Sequence, residues 1–227
     1  MRILFGKWMS SLAALSGLWF AQAAASPLAC EGIPVSVIAD DPKLARRTCT
    51  SAQNVLKTLG ACHVQLTNPV KITIVSDLPD TCLGLYHCGK NHIELLTPDA
   101  ALDKRTADSV FSQLSKQDLF DSVLAHELTH AAYDSTPCPF GNCPATAEYL
   151  AYTMQIMSLP AKARQRVEAG IEINERITRD EVNPMILYMS PNTFIRKSWA
   201  HLTQREDRCN YVRQLMEGLI FLDTEHP

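Results

Sequence analysis

The eight cysteines constrain the fold of this chain more than any other feature. Cys30, Cys49, Cys62, Cys82, Cys88, Cys138, Cys143 and Cys209 all follow a segment that reads as an export leader. In that leader Arg2 and Lys7 form a basic start, and Trp8 to Phe20 is an apolar run too short to span a bilayer. Ala21-Gln22-Ala23-Ala24-Ala25 offers small residues at cleavage-site spacing. Residues 1–25 are therefore expected to be a signal peptide, and 26–227 a single domain that is secreted or periplasmic. An even cysteine count in an exported chain reads as disulfides. Thiol ligation of zinc is the weaker reading, because no Cys-x-x-Cys pair is present. Cys82–Cys88 and Cys138–Cys143 are expected as local bridges, each around a short stretch containing glycine that can turn back. Cys30, Cys49, Cys62 and Cys209 allow three pairings, among which the sequence does not choose.

The net charge of −3 gives no electrostatic reason to expect nucleic acid or anionic lipid as a partner. No later segment reads as membrane-spanning. Strand-like runs come first: Ile33 to Ala39, the alternating Val70 to Val75, and one or two strands over Tyr86 and Asn91 to Leu96. Between the first two, Asp41-Pro42 marks the start of a helix that should stop at Gly60. Helical patterns dominate afterwards. One runs from about Lys116 to Tyr133, with Ser115 as N-cap. A second runs from Pro144 to about Ser158, and further helices are expected over 161–180 and 192–221. The order implies an α+β fold, with a small mixed sheet packed on the 116–133 helix and a mainly helical C-terminal part.

That helix carries His126-Glu127-Leu128-Thr129-His130, an H-E-x-x-H motif. Four residues advance a helix by about 400°, so both imidazoles leave one face about 6 Å apart along the axis. They can share one Zn²⁺, while Glu127, about 100° around, stands beside the ion as a general base. The motif still needs a third ligand. Asp134 lies ~12 Å along the axis from His126, too far for one ion. The lone histidines His63, His87, His92 and His201 fall at no signature spacing. Glu148 stands 18 residues after His130, near the start of the next helix, and is the best third ligand.

HELTH with Glu148-Tyr149-Leu150-Ala151-Tyr152 downstream resembles the gluzincin group of zincin metallopeptidases, the thermolysin-like arrangement. The resemblance implies that His126, His130 and Glu148 hold zinc and that Glu127 is base and then acid in hydrolysing a peptide or protein substrate. It also implies a strand beside the cleft whose edge pairs with substrate, for which Asn91 to Leu96 is the candidate. Two departures stand out. Tyr152 occupies the position, four after the third ligand, where many gluzincins place an acidic residue, and the chain is short beside thermolysin. Tyr133 and Thr136 stand where the metzincin pattern requires Gly and His. Hydrolysis further needs a donor for the oxyanion. His201 is the first choice, ahead of Tyr149, Tyr152, Tyr188 and Tyr211. The alternative function is a catalytically silent zinc-bearing or disulfide-stabilised binding protein.

Overall fold

The computed structural model of the chain describes residues 26–79, 82–171 and 175–223. The expected leader lies outside the described residues. Among those described, no helix is long and apolar enough to cross a membrane.

Five strands form one mixed sheet: β1 (Leu28–Ala29), β2 (Val35–Ile38), β3 (Val70–Val75), β4 (Gly84–His87) and β5 (His92–Leu96). Their spatial order is β1-β2-β3-β5-β4. The inner strands β2, β3 and β5 are parallel, while β1 and β4 run antiparallel at the two edges. Alternation sends Ile72 and Ile93, cross-strand neighbours, into the core and leaves His92 and Glu94 half-buried on the opposite face. Asn91 to Leu96 was expected to be the exposed edge beside the cleft. It is internal, and β4 takes the edge, because the β4–β5 hairpin folds outward.

Helix α1 (Pro42–Gly60) begins as expected, with Asp41 accepting from the Lys43 N–H at 2.8 Å and Pro42 in the first turn. The same chemistry starts α2 (Pro98–Lys104), capped by Thr97, where the sequence suggested only the end of a strand. Helix α3 (Lys116–Tyr133) follows Ser115, whose hydroxyl accepts from the Asp118 N–H, and α4 (Pro144–Ser158) follows a short loop. Helices α1 and α3 pack against the sheet, and α4 packs against α3. Leu119, Leu124 and Leu128 of α3, Tyr149 and Leu150 of α4, and Phe194 are fully buried in one continuous core.

The two long helices expected after Pro160 are each interrupted. Gly170 ends α5 (Ala161–Ala169), and a 3-10 turn covers Arg179–Glu181. Pro184 and Pro191 then start α6 (Pro184–Met189) and α7 (Pro191–Thr203), and Asp207 caps α8 (Arg208–Met216).

Disulfides join Cys30 to Cys49, Cys62 to Cys209 and Cys138 to Cys143. The first ties the middle of α1 to the residue after β1, and the second ties the turn just after α1 to α8. The third closes the loop between α3 and α4. Cys82 and Cys88, expected to form a bridge, are not joined to each other. The intervening residues form strand β4, not a turned loop. An extended strand separates residues six apart by ~20 Å, against ~6 Å between the α-carbons of a disulfide. Cys88 is an exposed thiol at the hairpin tip.

Candidate metal centre

The facing surfaces of α3 and α4 bring His126, His130 and Glu148 together. His126 Nε2 and His130 Nε2 are 3.0 Å apart. Glu148 places Oε2 3.5 Å from the first and Oε1 3.4 Å from the second. Among the described residues this is the one cluster of three or more His, Cys, Asp or Glu donors with metal-site spacing. Tetrahedral zinc with bonds of ~2.0–2.1 Å has its donors ~3.3 Å apart, so all three separations fit such an ion. Asp134 does not join them. It caps the far end of α3 and accepts hydrogen bonds from Tyr86 Oη at 2.9 Å and the Gly89 N–H at 3.0 Å, fastening the β4–β5 hairpin to the helix.

A hydrogen-bond chain sets which nitrogen of His126 faces the cluster. Ser122 Oγ donates to the Leu119 carbonyl at 2.8 Å and accepts from Gln155 Nε2 at 3.2 Å. The Gln155 amide is thereby oriented with Oε1 toward His126 Nδ1, 3.1 Å away. Nδ1 carries the proton, and the Nε2 lone pair points at the centre. The sequence reading missed Gln155. The expectation was that Tyr152 or a carboxylate elsewhere would steady the histidine, whereas the supporting group is a neutral amide three residues further along α4. The spacing of Glu148, Tyr152 and Gln155, at i, i+4 and i+7, is the signal that could have found it.

The titrating groups respond to one another. Burial and the neighbouring His130 bring the His126 pKa down to about 4. Burial also pulls on His130, but the hydrogen bond and charge of Glu148 outweigh it and raise His130. For Glu148, burial is outweighed by His130 and His126, and its pKa falls. Glu127 is 5% exposed; burial, reinforced by Glu148, raises its pKa to about 7 against His130 and a Tyr86 backbone hydrogen bond. A β-carbon on Gly84 would stand 2.7 Å from both Cγ and Oε1 of Glu127, so β4 runs directly across that carboxylate.

A family model described as a family of unknown function, DUF6639, matches residues 35–225. The chain belongs to that family. No curated protein and no solved structure matches the chain. In this DUF6639 protein the matched span takes in the whole cluster, its Gln155 support and β4.

The ligand helix of the DUF6639 chain is held from far away. Cys143 supplies no side-chain cap to α4. Asp223, 4% exposed, does so: its carboxylate accepts from the Ala145 N–H at 2.8 Å, the Thr146 N–H at 2.9 Å and Thr146 Oγ1 at 2.7 Å. Thr136 Oγ1 donates to the Met216 carbonyl at 2.8 Å, and Phe140 meets Phe221 edge to face, so the segment after α8 clasps the whole α3–α4 loop. No sequence motif marks Asp223, because the cap and the helix it serves are more than 70 residues apart.

His201, the expected oxyanion donor, is sealed elsewhere. It is fully buried on α7, with Nδ1 2.9 Å from Tyr149 Oη and Nε2 bonded to Arg205. Its ring also packs on Tyr211. Both nitrogens are committed to this cluster. The proposed role fails because α7 turns its histidine into the core behind α4.

Proposed function

We propose that this chain is a zinc-dependent peptidase of the gluzincin kind, acting outside the cell or in the periplasm. The observation that carries the reading is the match between the three donor separations and the edge lengths of a tetrahedral zinc site. His126, His130 and Glu148 would hold the ion. When bound, zinc lowers the pKa of a water and polarises a carbonyl.

The chain's own residues do the rest. Glu127 takes a proton from the attacking water as its oxygen bonds to the carbonyl carbon and the π pair moves onto the carbonyl oxygen. As the C–N bond breaks, Glu127 returns that proton to the departing amine nitrogen. Enclosure under β4 keeps the carboxylate apart from bulk solvent. The outer side of β4, an edge strand paired only to β5 among the described residues, offers backbone groups to an extended peptide. The zincin resemblance, the three disulfides and the lack of a membrane-crossing helix in the described residues support the same reading.

The other reading is a zinc-bearing protein without turnover. Such a protein has no need of the buried Glu127 beside the cluster. Elemental analysis should find one zinc per chain in the purified protein and none in His126→Ala. Glu127→Gln should keep the ion and lose peptide-library cleavage by about 10²–10⁴-fold. Zinc retained in full by His126→Ala would sink the site, and a zinc-loaded wild type that cleaves nothing would leave the silent reading.

A further inference from the structure

The C-terminal end of α7 carries charge that the fold leaves unbalanced. Arg205 donates to His201 Nε2 and lays its guanidinium over the Tyr211 ring, 4.9 Å from the centroid. Neither contact supplies a negative charge, and Arg205 Nε is buried without a hydrogen-bond partner. A half-buried cation held this way is costly unless an anion meets it. Beside it lies a cavity of about 310 Å³, walled by Glu175, Arg176, Ile177, Gln204 and Arg205. Among the described residues no ion pair joins Arg176 or Arg205 to a carboxylate, that of Glu175 included.

The wall is fixed in place. Gln204 accepts from the Ile177 N–H at 3.0 Å and donates to the Glu175 carbonyl at 3.0 Å, so one amide staples the incoming segment to the end of α7. Two guanidinium groups against one carboxylate leave the wall with one net positive charge. Arg179 and Glu181, whose charges also reach His201, oppose each other. A monoanion balances that charge, whereas a phosphate group, at about −1.5 to −2, overshoots it. The planar fork of a guanidinium also matches a carboxylate. The volume stands at the lower end of the about 300–1,000 Å³ usual for small-molecule sites, which leaves room for more than a bare ion. Ile177 and the arginine stems offer that body apolar surface. We propose that the cavity binds a small organic monocarboxylate, with its carboxylate between Arg176 and Arg205 and its body against Ile177. The site belongs to the His201 cluster behind α4, apart from the metal centre, and needs neither zinc nor turnover.

The test is calorimetric titration of the full chain with N-acetyl-alanyl-alanine, its C-terminal amide and inorganic phosphate. Each is run with and without phenanthroline, a neutral chelator that removes metal without offering a carboxylate. The acid should bind saturably at one site in both conditions, and the amide about 10–100-fold more weakly, since it lacks the charged acceptor. Phosphate should bind more weakly than the acid. Arg205→Lys keeps the charge and loses the fork, and its affinity for the acid should fall about tenfold. Arg176→Gln, on the exposed part of the wall, should fall by as much, and it decides the matter if Arg205→Lys does not fold. Glu175→Gln removes the opposing charge and should bind the acid more tightly, a gain that a purely structural role for this wall does not produce. Equal affinity for acid and amide, tighter binding of phosphate, or no saturable binding of the acid overturns the proposal. So does an affinity unchanged in both Arg176→Gln and Glu175→Gln, or one abolished by phenanthroline, which places the carboxylate on the metal. None of these results bears on peptide hydrolysis.

Discussion

Gly84 and Glu127 are in such close approach that a β-carbon at position 84 would force one of them to shift: it would stand 2.7 Å from Cγ and Oε1 of Glu127 and 2.9 Å from Val123 Cγ1. Helix α3 is locked in the core, so the displaced partner in Gly84→Ala is β4 or the Glu127 side chain. Misplacing a catalytic group by about 1 Å costs about 10²-fold in rate. Gly84→Ala should therefore keep its zinc and lose at least that much peptide hydrolysis. Zinc content and turnover, measured together, check this; unimpaired turnover would show that Glu127 tolerates displacement.

Gln155 supports His126 through a neutral amide. Gln155→Leu leaves His126 Nδ1–H and Ser122 Oγ without this partner in a buried setting. Loss of such a supporting group weakens metal binding by about 10–100-fold. Gln155→Glu supplies a charged acceptor and should bind zinc at least as tightly as the wild type. Competition with a chromophoric chelator gives both affinities, and equal affinities for wild type and Gln155→Leu would refute the support.

Asp223 caps the helix that carries Glu148. Asp223→Ala strands two backbone donors and one hydroxyl. The expected cost is about 2–3 kcal/mol of folding stability, and zinc should bind several-fold more weakly because the first turn of α4 loosens. Asp223→Asn, which keeps one acceptor oxygen, should recover part of both. Denaturation curves and zinc titrations of the two variants decide it.

His201 gives a pH signature away from the centre. Burial first, then the charges of Arg205 and Arg179, lower its pKa from 6.5 to about 4. Between those values the unfolded chain takes up a proton that the folded chain refuses. Stability from this residue is therefore complete above pH 6.5 and is lost as the pH falls toward 4, by on the order of 3 kcal/mol in all. In chelator, His201→Gln should show a shallower loss of stability than wild type across that window. Parallel curves would mean that His201 titrates normally.

Local chemistry was legible in the sequence where a few neighbouring residues decide it. Asp41-Pro42, Ser115 and Pro144 placed the starts of α1, α3 and α4, and the i, i+4 geometry placed His126 and His130 on one face. Glu148 was a candidate because the loop after α3 is long enough for the next helix to turn back, which brings its start beside the two histidines. What escaped depends on distant partners. Hydrophobic alternation identified Asn91 to Leu96 as strand, but it does not say which neighbours a strand acquires, so the edge was assigned to β5 instead of β4. The Cys82–Cys88 bridge failed for a related reason: Gly84 was read as a turn residue, whereas it is a glycine of close approach within a strand. His201 sits on a face of α7 whose burial is set by α4 and α8, and its own segment carries no mark of that.

The clasp formed by residues 216–223 imposes an order on assembly. While the chain is being made, His126, Glu127 and His130 emerge about a hundred residues before Asp223. Through that interval α4 has no cap at its first turn, and Glu148 is not yet held against the two histidines. The carboxylate that completes the centre is fixed only when nearly all of the described chain is available to fold. A nascent or truncated chain therefore carries the H-E-x-x-H motif without a finished site, and on the peptidase reading proposed above any hydrolysis would wait until synthesis is nearly complete.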